Sequence, residues 1–382
     1  MAARQFPSML LLARHYPPAI SGGARRPYLL TQGLRNLGAR VFVVAPSLPD
    51  GEASPDMGLV VPHPNRDPQP GSGAEHKKTA RDFARDWLLW PDPDIRWCMR
   101  AAKAAEAVLP WPPDWVWTTS PPESAHAAGA YLKRRLKARW LADFRDTWLD
   151  RPHRQDRRAL HRRIGETIAA RWMLPAADLV SAVDPVVAAD AQRLGARAPK
   201  VLAHFAPNAF PAPAKFPTGR VHIVHAGSIE LSDPQCRIED LLQPFAKARV
   251  QNPDLMLHLV GRLSAREAAL AVQSEGVTAH GPTPYERALS CIAGADALIF
   301  VASGKMHVPP SKIVEYLATD KPIIACGQGP WRQDPRTPKG DPIAEMATLK
   351  PGVRRSENLP RPMSAQESAA ELLGWLRVGT VA

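Results

Sequence analysis

Short apolar runs alternate along the chain with longer stretches of helical periodicity, and this alternation limits the possible folds more than any other feature. The runs at residues 8–13 (SMLLLA) and 297–301 (ALIFV) are apolar at almost every position. A strand without polar alternation is typical of a parallel sheet that helices cover on both faces. The sequence therefore predicts an α/β protein built from doubly wound parallel sheets.

The predicted strands form two groups, four in each half of the chain. They are residues 8–13, 41–45, 115–119, 140–144, 221–225, 256–260, 297–301 and 322–325, with helices at 25–37, 124–137, 238–250, 284–293 and 311–318. Residues 206–219 (APNAFPAPAKFPTG) contain four prolines and little periodicity, which is typical of a linker. We therefore predict an N-terminal domain over 1–205, a linker over 206–219 and a C-terminal domain over 220–363. An amphipathic helix within 364–382 is expected to pack back on the N-terminal domain.

Charge and cysteine content narrow the class of protein. Lysine and arginine exceed aspartate and glutamate by 49 − 37 = 12, which predicts a polyanionic partner such as nucleotide phosphates, nucleic acid or an anionic membrane. The four cysteines form no C-x-x-C pair, which argues against a structural zinc site and a disulfide framework. No apolar run approaches the length of about 18 residues that a membrane-spanning helix needs, so we expect a cytoplasmic protein.

The basic excess is concentrated in one segment. Residues 131–172 contain thirteen lysines or arginines and five acids, and nine of the eleven tryptophans lie between Trp87 and Trp172. One interpretation is a solvated face beside ordinary core aromatics. The other is a patch that binds an anionic membrane surface, where cations contact headgroups and tryptophan lies at the interface. Nucleic acid is the weakest alternative and is not expected, because no recognition motif accompanies the charge.

Two motifs in the first half follow predicted strands. HYPPAISGGARR brings Gly22 and Gly23 to the start of a helix, where backbone N–H groups can approach an anion, although such a pair is often only a turn. Its spacing matches neither the dinucleotide-binding nor the Walker A pattern. TTSPPESAH places His126 near the first turn of the next helix, where a packing role is at least as plausible as a ligand contact.

The segment LADFRDTW ends a predicted strand in Asp143, Arg145 and Asp146. Ligands of open parallel sheets bind at the carboxyl ends of the strands. Three charged groups at such an edge are costly to bury unless they pair with each other or with a substrate. The segment is therefore a candidate site, with a purely structural Asp–Arg pair as the alternative.

The segment PPSKIVEYLA brings Lys312 and Glu315 into the first turns of a helix in the second half. A lysine at a helix N-terminus suits a diphosphate, and a glutamate can accept two hydrogen bonds from a ribose diol. The alternative is an ordinary surface ion pair at helical spacing. Three further loops follow strands and are expected to face the same ligand: Gly227-Ser228, Gly261-Arg262 and His280-Gly281-Pro282.

The order of these motifs resembles that of the retaining glycosyltransferases of family 4. The resemblance is carried by HYPP, SGG, TSPPESAH, ADFRDTW, PNAF, HAGS, LVGR, HGPTPYE and PSKIVEYLATDKPII, which span nearly the whole chain. It implies the GT-B fold, in which two Rossmann-like domains face each other across a cleft. It also implies a nucleotide-sugar donor on the C-terminal domain, an acceptor on the N-terminal domain, and no metal ion or other cofactor.

The resemblance further assigns a donor site. Gly22 and Gly23 match the glycine loop that approaches the donor phosphates. Lys312 matches a lysine expected to contact the diphosphate, and Glu315 matches the second glutamate of the E-x7-E motif, which binds the ribose. The other expected donor-binding residues follow strands of the C-terminal domain: Gly227, Ser228, Gly261, Arg262 and Arg237, the last in place of basic residues often found near the first glycine.

The sequence departs from the family pattern at two positions. The first glutamate of the motif, which usually contacts the transferred sugar, falls at His307, so we place His307 with His126 and Asp143 in sugar or acceptor binding. The catalytic histidine of many members falls at Arg145, which is expected to stabilise the leaving group or orient the acceptor. Asp146 is expected to accept the acceptor's proton, unless the leaving phosphate does so.

The predicted function is therefore that of a metal-independent retaining glycosyltransferase of the hexosyltransferase type. It would transfer a sugar from a nucleotide sugar to a saccharide or lipid-linked acceptor, in polysaccharide biosynthesis, from the inner face of the cell membrane. Two alternatives stay open, a non-catalytic nucleotide-sugar-binding or scaffold protein and a sugar-nucleotide epimerase of the same fold.

Overall fold

The computed structural model describes residues 6–19, 22–47, 53–63, 89–149, 160–304 and 306–378. These residues divide into two compact units. The first runs to His204 and also contains the chain from Ser364 onward, whereas the second covers Phe205–Met363. Within the described residues, no helix is both long enough and apolar enough to cross a bilayer.

The first unit is built on a seven-stranded parallel sheet. Its strands are β1 (Ser8–Leu12), β2 (Arg40–Ala45), β3 (Leu59–Val60), β4 (Trp115–Ser120), β5 (Arg139–Phe144), β6 (Leu179–Ala182) and β7 (Lys200–Val201), in the order β3-β2-β1-β4-β5-β6-β7. The strand order reverses between β1 and β4, which pair with each other in parallel. The sequence of β1 is fully buried because helices cover both faces, as its apolar run predicts.

The described part of this unit contains six helices. They are α1 (Gly22–Asn36), α2 (Ile95–Val108), α3 (Ser124–Leu136), α4 (Leu160–Met173), α5 (Pro185–Arg193) and, from the end of the chain, α11 (Ala365–Val378). Helix α11 packs along α1. The two helices touch at Gly33, where an added Cβ would lie 2.8 Å from the Ala365 carbonyl oxygen and 2.8 Å from the Ala369 Cβ. A glycine is needed there because the backbones approach so closely.

The second unit has a five-stranded parallel sheet in the order β10-β9-β8-β11-β12. Its strands are β8 (Val221–Ala226), β9 (Leu255–Val260), β10 (Val277–Gly281), β11 (Ala297–Val301) and β12 (Ile323–Cys326). Its helices are α6 (Glu239–Gln251), α7 (Ala265–Gln273), α8 (Tyr285–Gly294), α9 (Ile313–Leu317) and α10 (Pro342–Ala347). Apolar clusters lie on both faces of the sheet, so it is covered on both sides.

The predicted doubly wound α/β fold is confirmed. All eight predicted strands are present with ends that shift by one residue at most, and the short strands β3, β6, β7 and β10 were not predicted. The segment predicted as a linker, 206–219, packs against the second unit: the Ala214 amide donates to the Ser290 carbonyl at 2.8 Å, and Phe216 stacks on His222. All four cysteines are buried free thiols.

Candidate nucleotide-sugar site

The carboxyl ends of β8 and β11 separate in the second unit, and the Tyr316 hydroxyl bridges them, accepting from the Ala226 amide at 2.8 Å and donating to the Ile299 carbonyl at 3.4 Å. The two strands pair only from Ala297 opposite Ile223 to Leu298 opposite Val224. The strand order also reverses here, because β9 and β10 extend from one side of β8 and β12 from the far side of β11. Such a reversal point is where open α/β sheets bind ligands.

Two glycines shape the turns beside this opening. Gly227, just after β8, has φ +97°, and Gly261, just after β9, has φ +146°, both in the region that favours glycine. A Cβ on Gly261 would lie 2.8 to 2.9 Å from backbone atoms of Gly227, so the two turns are in direct backbone contact. The predicted loops after β8 and β9 are thus in contact through the backbones of their two glycines.

Lys312 lies directly under the Gly227 turn. It is the residue before α9, and its Nζ donates to the Ser228 carbonyl at 3.3 Å and to His225 Nε2 at 3.0 Å. His225 Nδ1 donates to the Ile299 carbonyl at 3.1 Å, which fixes the tautomer and leaves Nε2 as an acceptor. The described residues thus offer two acceptors to three ammonium N–H groups, which leaves one donor for a ligand.

Burial makes the Lys312 ammonium responsive to an anion. Burial lowers the pKa of Lys312 to about 8. Burial also holds the pKa of His225 well below its usual range, and the positive charge of Lys312 acts in the same direction. An anion at this position would favour the charged form of the lysine. His225 was missed in the sequence because its role depends on contacts across the opened strands.

The other residues predicted for the donor site differ in their exposure to solvent. Glu315 is buried and accepts a hydrogen bond from the Tyr285 hydroxyl at 3.1 Å. Arg262 is half-buried, whereas Arg237 and His307 are exposed. The roles assigned to these four side chains stay predictions.

A line of three histidines crosses the same sheet toward the loop after β10. His222 on β8 contacts His258 on β9 at 2.9 Å, and His258 contacts His280 on β10 at 3.0 Å. His222 Nε2 must donate to the Pro217 carbonyl, 2.7 Å away. His222 Nδ1 therefore accepts from His258 Nε2, and His258 Nδ1 accepts from His280 Nε2. This line fixes the orientation of His280. Of the predicted loop His280-Gly281-Pro282, the first two residues lie in β10 and only Pro282 follows the strand.

In the first unit, Arg145 joins the two sides of the strand-order reversal. Its Nε donates to the Ser120 carbonyl at 2.9 Å and its Nη2 to the Pro121 carbonyl at 2.7 Å, just after β4, while Nη1 donates to the Gly23 carbonyl in α1. A Cβ on Gly23 would lie 2.6 Å from the Arg145 guanidinium, whereas one on Gly22 would meet nothing within 4 Å. Gly23 is therefore required for the packing of Arg145.

Asp143 has a structural role in place of the predicted acceptor contact. It is level with Thr119 on β4 and Ser181 on β6, and both hydroxyls donate to it, at 3.0 and 2.7 Å. Arg26 forms a buried ion pair with it at 2.9 Å and also donates to the Leu202 carbonyl. Burial alone would raise the pKa of Asp143, but Arg26 and the two hydroxyls lower it overall. With 1% exposure, this carboxylate is not available to a substrate.

His126 is likewise part of the core, which corrects its predicted place in acceptor binding. It has no exposed surface, lies among the rings of Trp140, Phe144 and Trp148, and contacts the Thr118 hydroxyl at 3.0 Å. Burial lowers the pKa of His126 to about 3, so the ring is neutral.

The remaining polar groups at this edge are mainly basic. Burial lowers the pKa of His204, and Arg26, Arg25 and Arg145 act on it in the same direction. Asp146, which follows Arg145, is half-buried. This edge of the first unit is therefore suited to a negatively charged ligand group. Among the residues that the structure describes, no three His, Cys, Asp or Glu side chains are grouped so that they could hold a metal ion.

The comparisons with known proteins bear on the family and the fold. The sequence profile of the glycosyl transferase 4-like domain matches residues 21–208. The chain carries a family 4-like glycosyltransferase domain. This confirms the predicted family resemblance. The match begins at α1 and therefore leaves out β1, the first strand of the seven-stranded sheet. No curated protein sequence matches the chain.

Several solved structures share the fold of this family 4-like chain at low sequence identity. Anabaena HepE in complex with UDP-glucose is 13% identical with a TM-score of 0.53, over 97% of this chain and 89% of that one. The catalytic domain of Arabidopsis thaliana starch synthase IV, bound to ADP and acarbose, is 13% identical with a TM-score of 0.54, over 99% and 93%. A putative UDP-N-acetylglucosamine 2-epimerase from Listeria monocytogenes is 11% identical with a TM-score of 0.59, over 98% and 96%. The family 4-like chain therefore has the two-domain, Rossmann-like GT-B fold.

Proposed function

We propose that the chain is a retaining glycosyltransferase that moves a sugar from a nucleoside diphosphate sugar to a saccharide or lipid-linked acceptor. The observation that carries the proposal is the position of Lys312, a half-buried lysine whose ammonium lies under the Gly227 turn at the strand-order reversal of the second unit. A positive charge fixed in advance where a diphosphate leaves lowers the barrier to its departure. The family 4-like domain supports transfer as the reaction.

In the proposed reaction, the bond between the anomeric carbon and the diphosphate oxygen breaks, and the acceptor oxygen bonds to the same face of the sugar. Lys312 donates to the departing diphosphate, and Glu315 accepts from the ribose. Arg145 orients the acceptor or stabilises the leaving group, and the acceptor's proton passes to Asp146 or to the leaving phosphate. We propose that these cationic groups, and not a metal ion, balance the diphosphate charge.

The transferred sugar, the acceptor and the place of action are finer parts of the proposal. HepE and the starch synthase were solved with UDP-glucose and with ADP, which makes UDP and ADP the first nucleotides to test. The basic segment 131–172 supports action at the inner face of the cell membrane. Part of that segment, residues 150–159, lies outside the described residues.

Calorimetric titration with UDP, ADP and GDP, followed by donor turnover with EDTA present, tests the proposal. We expect one nucleotide to bind in the micromolar range (about −8 kcal/mol), and its sugar conjugate to be slowly hydrolysed. Early proton NMR spectra of the released sugar should show the anomeric configuration of the donor. Release of the opposite anomer would contradict retention, and dependence on a divalent metal would contradict the metal-independent reaction.

The same measurements separate the two alternatives. Binding without any turnover of a panel of nucleotide sugars would favour a non-catalytic binding or scaffold protein. A nucleotide sugar converted to its epimer without acceptor would favour the epimerase, whose fold the chain also shares. Failure of every nucleoside diphosphate to bind would overturn all three functions.

The pKa of Lys312 predicts how nucleotide binding varies with pH. In the free protein this lysine has a pKa of about 8, and only its protonated form offers charge to a diphosphate. Affinity should therefore hold below pH 8 and fall by roughly tenfold per pH unit above it, until the pKa of the bound state is reached. Calorimetry between about pH 7.5 and 9 measures this decline, because the diphosphate is almost fully ionised and the base keeps its ring proton over most of that range. We expect the affinity of Lys312→Met to be independent of pH over this range. A pH-independent affinity in the wild-type protein would contradict the prediction.

A further inference from the structure

Helix α4 exposes three large apolar side chains in a single row. Ile164, Ile168 and Trp172 are 52%, 64% and 66% exposed, and their spacing of four residues aligns them along about 12 Å of one helix face. Other exposed apolar residues, such as Val250 and Val272, occur singly, which is ordinary for a protein surface. A row of three on one helix is not ordinary and indicates a surface that contacts another apolar phase.

The opposite face of α4 already packs against the first unit, so the row is not a core face turned outward. Glu166, Ala170 and Met173 are buried. On a helical projection they lie about 140° to 160° from Ile168, the middle residue of the exposed row. Gly165 lies at the side of the row, about 60° from Ile168, where a Cβ would lie 2.2 Å from the Trp90 ring. Helix α4 is therefore apolar on two opposite sides, only one of which the described residues cover.

The charges around the row indicate which apolar phase it contacts. Arg163 and Arg171 are exposed on the same helix, and the guanidinium carbon of Arg134 on α3 lies 5.3 Å from the centre of the Trp172 ring. The acid of this helix, Glu166, is buried, so the charged side chains that α4 exposes among residues 163–173 are arginines. Apolar side chains with tryptophan and flanking arginine are typical of helices that lie in the interface of an anionic bilayer.

We propose that α4 docks on the surface of an anionic lipid bilayer, with Ile164, Ile168 and Trp172 inserted between headgroups and the flanking arginines on lipid phosphates. This inference identifies α4 as the surface through which the chain binds the membrane in the proposed localisation. It does not depend on the proposed transfer reaction. A second copy of the chain would bury the apolar row, but it would bring the same arginines from both copies together. An anionic bilayer satisfies both the apolar and the cationic side chains.

Co-sedimentation with lipid vesicles tests the assignment. We expect the full chain to bind vesicles that contain about one third phosphatidylglycerol, and to bind pure phosphatidylcholine weakly. Ile164→Ser/Ile168→Ser/Trp172→Ser should reduce binding roughly tenfold or more, and Arg171→Gln about fivefold. The matched control is Val250→Ser/Val272→Ser, which removes two apolar side chains that are 86% and 83% exposed on the second unit and should leave binding unchanged. Thermal unfolding and nucleotide titration of each variant show that its fold and donor site are intact.

Three outcomes would overturn the assignment. Equal vesicle binding by the triple variant and the wild-type protein would leave the localisation standing but remove α4 from it. Failure of the wild-type protein to bind anionic vesicles, with nucleotide binding normal, would overturn both the assignment and the localisation while sparing the transfer reaction. A wild-type dimer that the triple variant converts to a monomer, seen by analytical ultracentrifugation without a loss of vesicle binding, would make the row an interface between copies.

Discussion

Lys312→Met is expected to weaken the binding of a nucleoside diphosphate by about 10- to 100-fold and to slow donor turnover by about 10²- to 10³-fold. Methionine keeps the length of the side chain but removes the ammonium that donates to Ser228 and His225. The larger effect on turnover is expected because the charge on the diphosphate grows as its bond to the sugar breaks. Calorimetry gives the first value, and the rate of donor hydrolysis gives the second.

Lys321 provides a matched control for this experiment. It is also a partly buried lysine of the second unit. It precedes β12 and therefore lies at the amino ends of the strands, where it donates to the Ala295 carbonyl. Lys321→Met should therefore leave nucleotide affinity unchanged. Equal affinity in folded Lys312→Met and wild-type protein would place the diphosphate elsewhere and remove the main support for the proposed function.

The fold could be predicted because its information is local. Apolar runs such as those of β1 and β11 and the helical periodicity between them are properties of neighbouring residues. The two-residue strands β3 and β7 and the exposed strand β10 lack such a signal, since pairing with a neighbouring strand defines them. Helix α4 was not predicted, so its exposed apolar row was missed with it.

The proximity of three residues of the candidate donor site could be predicted from the strands that precede them. Gly227 and Gly261 lie at positive φ after β8 and β9, and Lys312 lies beside them, because parallel strands bring their carboxyl ends to one edge. His225 could not be predicted in the same way. Its role depends on the separation of β8 from β11, which frees the Ile299 carbonyl to fix the ring.

The site of the first unit shows the limit of motif reasoning most clearly. Asp143 and Arg145 are two residues apart in one motif, and sequence alone placed both at the ligand edge. In the structure Asp143 is still inside β5 and faces Arg26, 117 positions earlier in the chain, whereas Arg145 lies beyond the strand end. Strand β5 ends at Phe144. Asp143, inside the strand, therefore has a structural role, whereas Arg145, after the strand, is the candidate catalytic residue.

Asp143→Ala is expected to lower the free energy of unfolding of the first unit by about 3–5 kcal/mol, the range observed when one partner of a buried ion pair is removed. Arg26 would keep its bonds to the Leu202 and Ala203 carbonyls but lose its counter-charge, and two hydroxyls would lose their acceptor. Asp143→Asn should cost less, because the amide oxygen still accepts from the hydroxyls. Urea titration followed by tryptophan fluorescence measures the change, since only one of the eleven tryptophans, Trp331, lies within 205–363.

The exposed ion pair between Arg135 and Glu106 is the control, because Arg135→Gln should produce no measurable change. Arg26→Met should destabilise the unit as Asp143→Ala does, and the double variant should lose less than the sum of the two, because neither charge is then left alone. The pKa of Asp143 is lowered by folding, so its contribution is present above pH 4 and is lost as pH falls through the folded-state value. Additive single losses would mean that Asp143 and Arg26 do not act as a pair. A loss in Asp143→Ala no larger than that in Arg135→Gln would mean that Asp143 does not stabilise the fold and would return it to the candidates for acceptor binding.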